Sequence, residues 1–343
     1  MNFEPTEERR MLRETLTRFL ADHYPIGHRN AVAYTAPFHD PTRWTELVEL
    51  GILHALAPEA QGGFGGGGFD ITTVFESLGN ALCPEPVLGT LLAARILGAT
   101  GGDLGPLLTG SRRYAVALDR SNSVTANETN NRWVLNGRCD VVYGGGTADR
   151  LLVATDTGAV FKVYADAVQV TPYGMIDGGG AAMLVLDNTP ATLIALNGRP
   201  VIQDACDVGA LALCAEAVGA MNAGAAMLLE YLKTRQQFGK PIGEFQVLQH
   251  RMVNLMTEIE QARSITILAA SRLGTDTQSR ISSMAKSLIG RTALLVAEEL
   301  IQMQGGIAMT WDCAASHFAK RLVMIDHQLG DTDRHLQFVA NAY

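Results

Sequence analysis

The chain has 343 residues, enough for two or three domains around a sizeable buried core. Hydrophobic residues make up 47% and charged residues 18%, which excludes a disordered chain, and a formal net charge of -8 argues against a nucleic-acid partner, since phosphate binding needs clustered Lys and Arg. No polybasic run marks a membrane patch, and five scattered cysteines without a C-x-x-C pair argue against a disulfide framework or zinc site, so a reducing cytoplasm is the expected location.

Residues 1–111 read as a helical domain. The N-terminus lacks the basic-then-apolar order of a signal peptide. Thr6 is placed to cap a first helix whose opening turn holds Glu7 and Glu8. Asp40-Pro41 signals a second start, with Asp as the cap and Pro at the first helical position. Asp70 is the expected cap of a third, leading into Ile71, Val74 and Leu78. Gly63-Phe-Gly65-Gly-Gly-Gly68 formally satisfies the dinucleotide pattern G-x-G-x-x-G. The stretch before it reads as helix rather than strand, and no Lys-Ser/Thr follows, so a flexible interhelical turn is expected.

Between residues 112 and 198 the period changes. Short β-rich runs (Tyr114–Leu118, Leu151–Ala154, Ala159–Tyr164, Ala182–Leu186) alternate with turn pairs, and Asn136-Gly137 and Thr157-Gly158 are the hairpin signals. A small antiparallel sheet domain is expected.

Residues 199–343 return to the helical period. The apolar stretch Val208–Leu229 is Ala- and Gly-rich and carries Glu216 and Asn222, which suits a buried core helix better than a membrane span. Phe245, Leu248, Met252, Leu255, Ile259, Ala262, Thr266 and Ala269 advance by threes and fours, one face of a long helix. A further helix from about Arg280 to Met303 stops at Gly305-Gly306. The fold class is therefore α+β: an N-terminal helical domain, a middle antiparallel β domain and a C-terminal four-helix bundle.

Two motifs carry chemistry. In Thr234–Ile242, Arg235 and Lys240 flank a glycine turn among polar Gln236 and Gln237. Such cations favour a helix C-terminus, and Arg is also the residue that grips phosphate by two parallel hydrogen bonds; the residues alone leave both readings open. Gln302-Met-Gln304-Gly305-Gly306 is a helix stop whose glycines also let backbone N–H groups approach a ligand. The eight histidines show no i,i+4 or H-E-x-x-H grouping, and no metal is assigned.

These pieces in this order resemble the acyl-CoA dehydrogenase superfamily over nearly the whole chain. The matching marks are Leu47-Val-Glu-Leu-Gly51-Ile-Leu, Pro58-Glu-Ala-Gln-Gly62-Gly63-Phe-Gly65, Arg235-Gln-Gln-Phe238-Gly239-Lys-Pro-Ile-Gly-Glu-Phe245-Gln246-x-x-Gln249-His250, Gln302-x-x-Gly305-Gly306 and the closing Asp331-Thr332. The resemblance implies a soluble, oligomeric flavoprotein that binds FAD in a groove shared between subunits. The reaction it implies removes an α-proton and a β-hydride from an acyl-CoA thioester, with a flavoprotein as a further electron-accepting partner. Carried over by position, Arg235, Gln236 and Gln237 resemble the segment that reaches a neighbouring subunit's FAD pyrophosphate. Phe245 and Gln246 resemble the pair beside the adenine, and Gln302, Gly305 and Gly306 the stretch lining the partner's cofactor. Thr332 and Arg334 fall where the family places groups against the adenosine diphosphate.

The departures point to a specialised member. Matching on Thr332 puts Gly330 at the position of the family's catalytic glutamate, and the alternative base position falls near Gly209, also without a proton acceptor. Asp331 is the nearby carboxylate and the candidate base if the chain has one. The flavin-facing stretch reads Ala117–Ser123, and the aromatic-Ile-Thr/Ser segment reads Val141-Val142-Tyr143. With Cys83-Pro-Glu-Pro86, the N-terminal part looks like the small subunits of paired acyl-CoA dehydrogenases, the pimeloyl-CoA and steroid side-chain types. The leading expectation is thus a heteromer subunit without its own base, working with a homologous subunit on an acyl-CoA. The alternatives are a self-sufficient homo-oligomer using Asp331, with nitroalkane-oxidase-like chemistry open to it, and a non-catalytic flavin- or acyl-CoA-binding scaffold.

Overall fold

The computed structural model describes residues 6–118, 124–130 and 132–341. The first helix, α1 (Glu7–His23), is capped by Thr6, whose side chain accepts the Arg9 N–H. α2 (Ile26–Ala33) precedes α3 (Pro41–Glu49), where the Asp40 carboxylate accepts the N–H groups of Thr42 and Arg43. Both expected caps are present. After α4 (Ile52–Ala55) comes the glycine-rich turn. There the N–H groups of Gly63, Phe64, Gly65 and Gly66 donate to the carbonyls of Pro58, His54, Ala57 and Ala55. None of those four donors is left to cradle a phosphate, so the segment is a closed turn rather than a nucleotide loop.

α5 (Gly68–Asn80) begins two residues ahead of the expected cap. Asp70 lies in its first turn and pairs with Arg9 at 2.6 Å. The start is set by packing: a Cβ on Gly68 would lie 2.1 Å from the Ala270 carbonyl oxygen, so only glycine lets the chains meet there. α6 (Val87–Ala99) and α7 (Gly105–Leu108) complete the first helical series.

The sheet strands are β1 (Tyr114–Ala117), β2 (Thr125–Thr129), β3 (Arg132–Tyr143), β4 (Arg150–Ala154), β5 (Val160–Tyr164), β6 (Gln169–Gly174) and β7 (Gly180–Ala195). They run in the order β1-β4-β5-β7-β3-β2, with β6 also on β7. The sheet is mixed rather than antiparallel: β1 pairs β4 in parallel, Tyr114 opposite Arg150. A parallel neighbour needs a long crossover, and here the β2–β3 hairpin supplies it, a connection that local turn signals do not reveal. Thr157-Gly158 does turn the β4–β5 hairpin, with Gly158 at φ +85. Asn136-Gly137 does not turn; it lies inside β3 at a register shift against β7. The Asn136 side-chain oxygen is used instead across the sheet, accepting the Asn188 N–H at 2.8 Å. Leu135, Leu151, Val153, Phe161, Val163, Ala182 and Leu184 form the buried core of this sheet.

The C-terminal helices are α8 (Arg199–Thr234), α9 (Gln246–Ser271), α10 (Gln278–Gln304), α11 (Ala314–His327) and α12 (Thr332–Asn341), with a two-stranded hairpin of β8 (Gln236–Gln237) and β9 (Lys240–Pro241) after α8. The most apolar window of α8 is 78% buried, as a core helix requires. Met252, Leu255, Ile259, Ala262, Thr266 and Ala269 are the buried face of α9.

Contacts group the chain into two compact units. One comprises Met1–Ile26, Gly68–Cys83 and Ala210–Tyr343, and the other Gly27–Gly67 and Pro84–Gly209. In the first, α5 crosses α8 closely: a Cβ on Gly79 would lie 1.9 Å from the Glu216 carbonyl oxygen, and one on Gly219 2.0 Å from that of Glu76. In the second, α6 lies on β1, and the ion pair of Arg95 with Asp204 closes at 2.9 Å.

Candidate functional site

The residues expected at a cofactor fall in two groups on the C-terminal unit. Arg235 follows the last residue of α8. Its N–H closes the helix on the Tyr231 carbonyl, and its own carbonyl accepts the Ile242 N–H, both at 2.8 Å. The guanidinium side is left exposed. Gln236 and Gln237 pair with Pro241 and Lys240 in the hairpin, also exposed. At its tip Phe238 has φ +55 and is 90% exposed, an unusual state for a phenylalanine. Phe245 meets it edge-on at 6.1 Å and carries the Lys240 ammonium 4.5 Å over its ring. Gln246 opens α9, exposed.

The same end of the unit holds the second motif. The Tyr231 hydroxyl donates to the Gln304 carbonyl at 3.2 Å, which joins the end of α8 to the end of α10. Gln302 is exposed on the last turn, and Gly305 closes α10 at φ +74. A Cβ on Gly305 or Gly306 would meet nothing within 4 Å. Exposed Arg, Gln and backbone at a bare glycine turn suit an anionic group brought from outside this chain. Their chemistry fits the pyrophosphate of FAD.

Thr332 and Arg334 lie elsewhere. They open α12, which packs on the earlier part of α10. Thr332 contacts Asp326 beside Gly290, about fourteen helical residues from Gln304, or roughly 21 Å along α10. The structure therefore does not bring the two groups together within one chain. Thr332 is committed inward, its N–H and hydroxyl both donating to Asp326 Oδ1, at 3.0 and 2.9 Å.

Between them lies the segment expected to carry a base. Gly330 has φ +110 and Leu329 φ +56. Asp331 is exposed, and one carboxylate oxygen accepts the Arg334 N–H at 2.9 Å, so it serves as the cap of α12. That backbone hydrogen bond holds its carboxyl below the ordinary carboxylate range, aided by the charge of His327. Gly209 is buried in α8; Asp207, the carboxylate nearest to it in sequence, is also buried and accepts a hydrogen bond from Gln203 at 2.8 Å.

The sequence reading missed Lys286. It is fully buried on α10, and its ammonium donates to the carbonyls of Gly330 at 2.7 Å and Asp326 at 2.9 Å. A lysine on the face that also holds Ser282, Ser283, Ala285, Ile289 and Gly290 was the available signal, since lysine is almost never buried without partners. Its charge also acts on Cys214, whose thiol burial nonetheless pushes up to about 12.

In the sheet unit, Val141 is exposed, Val142 buried and Tyr143 half-buried. Val141 and Val142 have no side-chain hydrogen-bond donor for a flavin ring. Of the Ala117–Ser123 stretch, residues 119–123 lie outside the described residues. Among the described residues no group of three or more His, Cys, Asp or Glu is placed to hold a metal ion.

Residues 6–101 match the acyl-CoA dehydrogenase N-terminal domain and residues 197–343 the acyl-CoA dehydrogenase C-terminal domain. The acyl-CoA dehydrogenase IpdE2 of Mycobacterium tuberculosis is 34% identical over 325 residues, covering 92% of this chain and 91% of that protein. Among solved structures, the ChsE4-ChsE5 complex of Mycobacterium tuberculosis is similar at a TM-score of 0.91 and 25% identity, covering 99% of this chain and 98% of the matched one. A steroid acyl-CoA dehydrogenase variant, Tcur3481-Tcur3483, is similar at 0.89 and 28% identity, covering 98% and 97%.

Proposed function

Because the chain belongs to the acyl-CoA dehydrogenase family, FAD-dependent oxidoreductases acting on CH–CH bonds, we propose that it works as the base-lacking subunit of a heteromer. In this reading a homologous subunit supplies the proton acceptor, and an acyl-CoA thioester is desaturated between its α and β carbons. One observation carries the reading: position 330 is a glycine, while the face at Arg235, Gln302, Gly305 and Gly306 stays exposed for a neighbour's cofactor. FAD, when bound, supplies the hydride acceptor. Arg235 neutralises the pyrophosphate, and the exposed backbone at Gly305 and Gly306, with open space where a side chain would stand, lets it approach closely. Phe238 and Phe245 offer flat apolar walls to the adenine end.

The complex named among the solved relatives supports a paired assembly, and the steroid dehydrogenase among them supports a sterol-derived acyl group. A flavoprotein then takes the electrons onward. Five cysteines, none of them in a disulfide, fit a reducing, cytoplasmic setting. A self-sufficient enzyme using Asp331 is the second reading. Against it stands the geometry of that carboxylate, which is spent on capping α12 and is a weaker base than an ordinary aspartate.

The test is to purify the chain alone and with a homologous subunit that carries the glutamate, then record flavin absorbance and acyl-CoA turnover. The complex should turn over and keep its activity with Asp331→Asn, whereas the lone chain should be slower by about 10² to 10⁴, the usual cost of a missing general base. Turnover by the lone chain that disappears with Asp331→Asn would establish the second reading instead.

A further inference from the structure

A glycine standing where a catalytic carboxylate is expected can be a simple loss, leaving an open space. Gly305, Gly306 and Gly239 show what that looks like, since a Cβ on any of them would meet nothing within 4 Å. Gly330 is different. A Cβ there would lie 2.8 Å from His335 Nε2, 3.1 Å from His335 Cδ2 and 3.3 Å from Arg334 Cδ. The first distance is closer than real Cβ atoms approach a neighbour, and the obstacle is a ring rather than the free end of a flexible chain.

The ring is held on both sides. His335 Nδ1 stands 3.1 Å from Ser283 Oγ on α10, and Nε2 stands 3.2 Å from the Leu329 carbonyl oxygen. A carbonyl only accepts, so Nε2 carries a proton, and in the neutral ring Nδ1 accepts from the Ser283 hydroxyl. With both nitrogens engaged, the imidazole offers no lone pair to a substrate. The backbone under it is pinned as well. Lys286 holds the Gly330 and Asp326 carbonyls, Asp326 holds Thr332, and Leu329 and Gly330 both take left-handed φ values. Gly290 lets this knot seat, because a Cβ on it would lie 1.9 Å from Asp326 Oδ1 and 2.3 Å from Thr332 Oγ1.

We propose that His335 is a plug: a positioning residue whose ring occupies the place of a side chain at 330 and closes the base position of this chain. The proposal rests on reading 330 as the base position, and it adds that the vacancy is built and locked. Gly330→Glu by itself then restores nothing, because the new stem has nowhere to go.

The experiment is a double-mutant cycle on the purified chain with Gly330→Ala, His335→Ala and both together, read by thermal unfolding and by the ¹⁵N shifts of His335 at alkaline pH. Gly330→Ala should lower the melting midpoint by a few degrees, and by less than half as much once His335→Ala has removed the ring. The remaining loss is the cost of a Cβ at a left-handed φ. The wild-type spectrum should show the Nε2–H tautomer, and Gly330→Ala should shift both nitrogens as the ring is displaced. Equal losses in the two backgrounds, or His335 shifts unmoved by Gly330→Ala, would overturn the plug. Neither readout involves flavin or substrate, so the plug fails or stands separately from the base-lacking reading, which turnover decides.

Discussion

Asp331 shows how one carboxylate is claimed by structure before chemistry can use it. Its oxygen receives the Arg334 N–H, one of the donors that the first turn of α12 leaves without a partner. Replacing it with alanine should cost about 0.5–2 kcal/mol of stability, while asparagine, an equally good cap, should be nearly neutral in urea unfolding. The pH dependence has a definite sign. The folded carboxyl titrates below its unfolded value, first because of the Arg334 N–H. Its contribution is therefore present above the unfolded value, about 3.9, and fades as pH falls through the lower folded one. Acid titration of the wild type and of Asp331→Asn should thus diverge only below about pH 4. Divergence at neutral pH would mean that the carboxylate has another partner.

At the scale of elements, the crossing of α5 and α8 is set by two glycines facing the other helix's backbone. Gly79 approaches the Glu216 carbonyl and Gly219 the Glu76 carbonyl. Neither obstacle is a flexible side-chain tip, so a methyl group has to push helices apart. Gly219→Ala should destabilise by about 1–3 kcal/mol or more, even though alanine is the better helix former by roughly 1 kcal/mol. Denaturant unfolding checks the sign, and a stabilised variant would refute the close crossing. Nearby, Glu216 receives Arg321 through two hydrogen bonds at 2.6 and 2.8 Å, and Glu76 receives Arg263 at 2.8 Å. These carboxylates are thereby committed to packing α8 and α5 against their neighbours.

For the molecule as a whole, the exposed apolar side chains are the informative residue of the packing. Val253 and Met256 on α9, Leu294 on α10, and Leu336 and Phe338 on α12 all face outward. Single exposed hydrophobics are ordinary, but recurrence on three helices of one unit argues for association. Light scattering of the purified chain should give a multiple of the chain mass, and a strictly monomeric mass at micromolar concentration would count against it.

The helical, sheet and helical order, the Thr6 and Asp40 caps, the buried stripe of α9 and the glycine stop of α10 were all legible from residues near one another along the chain. Periodicity and capping act over a few residues, so a linear pattern carries them. The same locality misread Asn136-Gly137 as a turn and Asp70 as a cap, because a partner on β7 and the backbone of Ala270 outweighed the local preference. The parallel β1–β4 pairing likewise depends on how far apart in the chain two neighbours lie. Of the site, the composition of the Arg235 and Gly305 segments was readable, and so was the glycine at 330. That Tyr231 draws the first two together, that Lys286 closes under the third, and that Ser283 holds the His335 ring against it came from contacts across dozens of residues. A sequence shows which side chain is missing from a place; only the folded chain shows whether that place is open or filled.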